Sequence, residues 1–407
     1  MFEALDMIER EELELRWSKC RSLLPQLAPG AQGLLVLSRV NIYWSSGHLA
    51  NGLLWLPLEG EPLLLVRKGL ERARLESAIE QIHPFLSFKD LPRIMSEAGY
   101  AVPHTAAVEF SGLSWDMGRK MESRLEGWKF VEGDSVLSRA RAVKTQRELE
   151  VMRLAGQRHA YCLDEDIPRR IEPGMNEREI GAAIWDSFFE QGNHGLTRLG
   201  SPGEDFLLGH ICAGDSGNYP SAINGPVGVR GEHPSAPVLG YPGKIWKRGQ
   251  ILTMDTVFFL EGYHTDKTRV FFAGSPREID PELHSAQAFC HELQQSVSEM
   301  LRPGVTPAQI HEHCSSKAQK QGYSEGFMGL EENKVPFVGH GIGLILDEYP
   351  VLAAKFTEPL QEDMVIALEP KVGLAQWGMV GVENTFRVTA EGGECLTGFN
   401  GDFHYME

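Results

Sequence analysis

The run Ile251-Leu252-Thr253-Met254-Asp255-Thr256-Val257-Phe258-Phe259 is answered, after Leu260-Glu261-Gly262, by Tyr263-His264-Thr265-Asp266-Lys267-Thr268-Arg269-Val270-Phe271-Phe272. Both runs are apolar enough to be interior strands, and the three residues between them form the turn of a hairpin. Pairing brings Asp255 and Asp266 close across the strands, where like charges repel unless a cation lies between them. A metal ion is the natural cation. The pattern recurs with Glu369 in Val365-Ile366-Ala367-Leu368-Glu369-Pro370 and Glu383 in Val380-Gly381-Val382-Glu383-Asn384-Thr385, across a glycine-rich connection. Four buried carboxylates left charged and unpaired would cost several kcal/mol each, whereas two divalent cations neutralise all four. His340, in Val338-Gly339-His340-Gly341-Ile342-Gly343-Leu344, adds an imidazole between glycines, where backbone approaches closely. One nitrogen and several oxygens suit manganese, iron, cobalt or zinc rather than a structural zinc finger.

Outward from this set, the chain shows an internal echo. Glu172-Pro173-Gly174-Met175-Asn176 followed by Ile180 returns 130 residues later as Arg302-Pro303-Gly304-Val305-Thr306 followed by Ile310, and Gly209-His210 and Gly339-His340 keep the same offset. Two similar halves are expected, each running helix, helix, strands. Asn176 with Glu179 reads as a capping box opening a helix that ends near Gly192, and Asp280-Pro281 and Thr306-Pro307 open two more. Upstream, a charged amphipathic start to about Leu27 precedes strand runs at Gly33–Ser38, Leu53–Leu58 and Pro62–Val66, with turn-like punctuation at Asn41-Ile42-Tyr43-Trp44 and Gly60-Glu61-Pro62. A small α/β domain over 1–135 and a larger domain over 140–407 follow, the second opening with a helix from Arg141 to about Asp164.

At 407 residues the chain exceeds a single small module, and 42% hydrophobic residues suffice for a substantial core. A net charge of −17 would repel phosphate backbones, which argues against a nucleic-acid partner. The longest apolar runs are too short to span a bilayer, so no membrane association is expected. Six cysteines without a C-x-x-C pair, and an acidic opening segment lacking an apolar export signal, point to reduced thiols in the cytoplasm.

The ordered acids and histidine, within Gly262 to Arg269, Gly339 to Leu344 and Leu368-Glu369-Pro370, resemble the creatinase/aminopeptidase superfamily with its pita-bread fold. The residues before 140 resemble the creatinase/prolidase amino-terminal domain, which places the likeness on the Xaa-Pro dipeptidase and aminopeptidase P branch. The resemblance implies an α/β (α+β) protein whose pseudo-twofold catalytic domain holds two divalent metals, manganese first and cobalt, iron or zinc as alternatives. It implies Asp255, Asp266, His340, Glu369 and Glu383 as metal ligands, with Glu369 also moving the proton of the attacking water. A small peptide substrate and a homodimer are implied as well.

Two departures stand against that pattern. The family's peptidases carry a histidine after proline ahead of the first metal ligand, where this chain has Pro220-Ser221, and another seven residues past the metal-binding histidine, where it has Asp347. Losing one oxyanion donor of that kind lowers turnover by roughly 100- to 1000-fold. Ser221, Asp347 and His210, the repeat partner of His340, therefore become candidate substrate-pocket residues. The departures also keep open a lyase or amidinohydrolase acting on a small cationic substrate, or a non-catalytic binding module. Gly214-Asp215-Ser216-Gly217 looks like a serine-protease signature but lacks its partners. His311 and His313, two apart in a helix that also carries Cys314, point to different faces, so packing rather than metal binding is expected there. Gly339-x-Gly341-x-Gly343 lacks the lysine of a phosphate loop.

Overall fold

Alternating apolar runs in the first third of the chain become the strands β1 (Gly33–Val36), β2 (Asn51–Pro57), β3 (Leu63–Lys68), β4 (Gln81–Pro84), β5 (Thr105–Val108) and β6 (Lys129–Glu132). They form one mixed sheet in the order β4-β3-β2-β1-β5-β6, packed over Leu35, Trp55, Leu65, Phe85 and Val108. The structure is a computed structural model that describes residues 7–200 and 206–407. The chain divides into two compact units, Met1–Arg141 and Ala142–Glu407. The charged opening is helical over Arg10–Leu27 and buries Leu13, Trp17, Cys20 and Leu24; residues 1–6 of that opening lie outside the described residues. Asn41 to Trp44 are not a turn. They sit within the helix Arg39–Ser46, because Ser38 accepts a hydrogen bond from the Asn41 N–H at its start and Gly47, at φ 76°, ends it.

The single helix expected from Arg141 to about Asp164 is instead divided. One helix runs Asp134–Ala142 and another Gln146–Tyr161, since Thr145 and Glu148 form a reciprocal capping box that starts the second afresh. The strands that follow are β7 (Gly209–Ala213), β8 (Ile251–Leu260), β9 (Tyr263–Ala273), β10 (Phe337–Gly341), β11 (Glu348–Ala353), β12 (Val365–Leu368), β13 (Lys371–Leu374), β14 (Gly378–Gly381), β15 (Asn384–Thr389), β16 (Gly392–Cys395) and β17 (His404–Met406). One sheet has the order β17-β9-β8-β7 and a second the order β11-β10-β12-β15-β16.

The sequence echo is structural. Helices Glu177–Glu190 and Pro307–Lys320 lie at the 130-residue offset, each opened by a capping box, and β7 and β10 carry the paired Gly-His dipeptides. Each half has its own core: Ile180, Ile184 and Phe188 pack with Met254 and Phe258, while Leu283, Leu293 and Ile310 pack with Ile366 and Leu368. The halves differ at the acid-bearing strands. β8 and β9 pair directly as a ten-residue antiparallel register, whereas their counterparts β12 and β15 are separated by an added hairpin, β13–β14. A bridge between Thr268 and Glu383 joins β9 of the first half to the second.

Behind the hairpin, His159 is wholly buried between the hydroxyls of Thr265 (3.1 Å) and Thr256 (3.0 Å). Thr256 donates its own proton to the Lys267 carbonyl, so His159 Nε2 donates to Thr256 and Nδ1 accepts from Thr265. Burial, helped by the nearby Lys267, holds this imidazole's pKa well below 6.5. The unfolded chain takes up a proton at about pH 6.5 that the folded one refuses, so stability falls as pH drops through that value and is unaffected above it. His159→Gln should flatten the part of the fall in urea midpoint between pH 7.5 and 5.5 that this histidine causes; an unchanged slope would assign the pH sensitivity elsewhere. Asn176→Ala, which removes the cap of Glu177–Glu190, should lower stability by about 1 kcal/mol in the same measurement.

Candidate active site

Strand pairing sets the acids. Asp255 is opposite Thr268 and Asp266 opposite Val257, so the two aspartates lie diagonally on one face of the β8–β9 hairpin. Leu368 is opposite Asn384 in the β12–β15 pair, and Glu369 and Glu383 are the next residues beyond it. The Thr268–Glu383 bridge brings the two pairs together. His340 comes from β10, where a Cβ on Gly339 would fall 2.3 Å from the Ala367 carbonyl and one on Gly341 2.4 Å from that of Tyr349. The flanking glycines are what let this strand close on its neighbours.

All five residues line one cleft, together with His210, Asp347 and the apolar Leu199, Phe206, Ile223, Phe337 and Leu346. His210 is cross-strand from Asp255, and its Nδ1 is buried without a hydrogen-bond partner. Asp347 stands half exposed, its Oδ1 3.6 Å from His340 Nδ1. Ser221 is not among the residues lining the cleft. Its N–H donates to Asn333 and its hydroxyl accepts from the Ile223 N–H, a local turn that presents Ile223 to Pro226 to the cleft instead.

The five expected ligands separate into two groups. Ligand atoms of Asp266, His340 and Glu383 all lie within 4.8 Å of one another. His340 Nδ1 donates to the Gly341 carbonyl (3.0 Å), which leaves Nε2 as the ligating nitrogen, 3.8 Å from Glu369 Oε1. Asp266 Oδ1 is buried with no partner, as an oxygen awaiting a cation would be. These donors fit one divalent ion.

Asp255, by contrast, is engaged by a residue the sequence reading passed over. Lys371, two residues past Glu369 at the start of β13, is completely buried and places Nζ 2.6 Å from Glu383 Oε2, 2.9 Å from Glu369 Oε2 and 3.3 Å from Asp255 Oδ2. Thr268 Oγ1, also unanticipated, lies 2.9 Å from Asp255 Oδ1 and 3.0 Å from Glu383 Oε2. The expectation that four acids call for two divalent ions left out this ammonium, which already offsets one of the four charges.

Proton affinities follow the same division. Burial alone would lower the pKa of Lys371, but Asp255, Glu369, Glu383 and Asp266 together raise it well above 10.5, so it stays charged. Burial pushes Asp255 upward and is outweighed by Lys371 and then His210, leaving its pKa below 3.8. Asp266 goes well above 3.8, through burial and then Asp255. Glu383 also rises well above its usual range although it touches Lys371, because burial and then Asp266 outweigh that contact. Asp266 and Glu383, both in the three-ligand group, are thus the acids that most resist ionisation without a cation. Burial, with Lys371 adding and Asp255 opposing, lowers His210 to about 4, so it is neutral at pH 7.

The decoy motifs are accounted for structurally. Ser216 is buried in a 3₁₀ turn whose Asp215 pairs with Lys244, and His313 meets the Ser296 hydroxyl while Cys314 is buried in the core. All six cysteines are free, and among the described residues no helix is long and apolar enough to cross a membrane.

Comparison with known proteins agrees with this arrangement. The model of metallopeptidase family M24 matches residues 150–390, and that of the creatinase/prolidase N-terminal domain matches residues 16–143. The Xaa-Pro dipeptidase of Pyrococcus furiosus is 25% identical over 370 residues, 89% of this chain and 92% of the relative. In fold, the chain is similar to the Xaa-Pro dipeptidase from Bacillus anthracis (TM-score 0.78, 19% identity, 97% of this chain and 100% of that one). It is also similar to the X-Pro aminopeptidase from Thermotoga maritima (TM-score 0.77, 20% identity, 96% and 99%). With the pita-bread architecture, an amino-terminal creatinase/prolidase domain and a carboxylate-histidine centre in place, the chain belongs to metallopeptidase family M24, on the prolidase branch of the creatinase/aminopeptidase superfamily.

Proposed function

We propose that this chain hydrolyses the amide bond of short peptides, Xaa-Pro sequences being the reference substrate, with a divalent cation held by Asp266, His340 and Glu383. The observation that carries the reading is the buried, unpartnered Asp266 Oδ1 beside His340 and Glu383. Bound there, a cation of the manganese, cobalt, iron or zinc type would supply Lewis-acid polarisation and a water of lowered pKa.

The chain's own residues divide the remaining work. Glu369 turns Oε2 to Lys371 and keeps Oε1 toward His340, so Oε1 is the oxygen placed to take a proton from the attacking water and return it to the leaving amine. His210, neutral, lining the cleft and with its buried Nδ1 unpartnered, is the group available to turn to the substrate carbonyl in place of the family histidines that are absent at 221 and 347. Asp347, at the cleft and partly exposed, meets the substrate's α-amino group. No lysine or arginine lines the cleft among the described residues. Recognition through the amino end is thus favoured over recognition of a carboxylate, and the apolar lining excludes water around the scissile bond.

The test is turnover of Xaa-Pro dipeptides, longer Xaa-Pro peptides and non-prolyl dipeptides by protein loaded with manganese. Turnover should vanish with a chelator and return with metal; chelator-resistant hydrolysis, or loaded protein inert toward every Xaa-Pro substrate, would reject the reading. Asp266→Ala should lose bound metal and activity together. Glu369→Gln should keep its metal while kcat falls by roughly 100- to 10,000-fold.

A further inference from the structure

Three acids of the centre converge on an ammonium rather than on open space. Lys371 Nζ has three protons to donate and three acceptors within reach, one oxygen each from Glu383, Glu369 and Asp255. A divalent ion binding those same oxygens would need to approach each to about 2.0–2.2 Å. Nζ, 2.6 to 3.3 Å from all three, occupies that space, and its charge repels a second cation as well.

The lysine is built into the backbone. Lys371 opens β13 and is paired with Gly381 at the base of the added hairpin. Gly381 has φ 154°, and a Cβ there would lie 2.7 Å from both Cα and Cγ of Lys371 and 2.6 Å from the Pro370 carbonyl. Gln287 holds Gly381 in place by accepting from its N–H (2.9 Å) and donating to its carbonyl (3.1 Å). Only a residue without a side chain at 381 leaves room for the lysine stem, and the side chain is completely buried.

From this geometry we infer that Lys371 stands permanently in the place of one of two metal ions, so that the centre takes up a single divalent cation at Asp266, His340 and Glu383. The inference rests on the metal-dependent reading above and narrows it from an unspecified load to one ion. The charge balance agrees. Four carboxylates, one ammonium and one divalent ion leave a single negative charge, which suits a substrate entering with a cationic amino group, whereas a second divalent ion would make the centre positive. Asp255 then serves as a positioning residue that fixes Lys371, not as a metal ligand.

The experiment is metal counting on the full-length protein equilibrated with excess manganese and freed of loose ion, joined to the electron paramagnetic resonance spectrum of the bound manganese. The expected result is about one ion per chain and the spectrum of an isolated Mn(II). Lys371→Ala should admit a second ion and give an exchange-coupled pair, and Lys371→Met, which keeps the buried stem and removes the charge, should raise the count if the smaller side chain fails to fold. Lys371→Arg should remain at one. Two ions per chain in the unmodified protein, or a count unmoved by Lys371→Ala and Lys371→Met, would overturn the role of the lysine while leaving the metal-dependent reading intact. No bound ion in either the unmodified protein or the lysine variants would overturn both.

Discussion

Four carboxylates gathered at one cleft set the terms for the second unit. Asp266, Glu369 and Glu383 are buried and Asp255 is largely so, and a fold that gathers them is stabilised when positive charge is gathered too. Lys371 supplies part of it from within the chain, through three short contacts and complete burial. Asp266 and Glu383 have raised proton affinities, burial being the first cause for each, so they are the acids a further cation would relieve. A cation bound there would contribute to folding energy as well as to chemistry, since ligands that otherwise protonate or repel would be relieved.

Much of this was legible in the sequence, because interior strands seldom carry acids and the exceptions are conspicuous. The β8–β9 pair, the glycine-flanked His340 and the 130-residue echo rest on short-range pattern and lie where the pattern puts them, whereas Glu369 and Glu383, read as residues inside strands, fall just past the end of β12 and just before β15. The helix caps at Asn176, Asp280 and Thr306 were readable for the same reason: a cap is a contact between residues two or three apart. Pattern failed where a longer-range or competing local signal decided the outcome. Asn41 to Trp44 read as a turn by composition, but Ser38 and Gly47 bracket them as helix ends. Ser221 read as a pocket residue by its place in the family order, but its hydroxyl is used by the next turn.

Lys371 was missed for a different reason. In sequence it looks like a charge at a strand end, two residues past a glutamate, which is ordinarily solvated. Its burial follows from tertiary facts that local pattern does not carry: an inserted hairpin, a glycine at φ 154° opposite, and acceptors contributed from as far away as Asp255. The available clue was Gly381, since a glycine opposite a long side chain at the base of a hairpin marks a close approach.

The hairpin shows how a pseudo-symmetric fold acquires an asymmetric centre. In the first half β8 runs directly into β9, so its two aspartates face the cleft from one continuous ladder. In the second half β12 and β15 retain the equivalent pairing, but the chain between them detours through β13 and β14 and delivers a cation from behind the acids. The ammonium's reach joins both halves: it holds Asp255 from the first and Glu369 and Glu383 from the second. A single charged side chain from within the chain thus bridges the two halves, and Asp266, His340 and Glu383 keep ligand atoms within 4.8 Å of one another, where the proposed ion would bind.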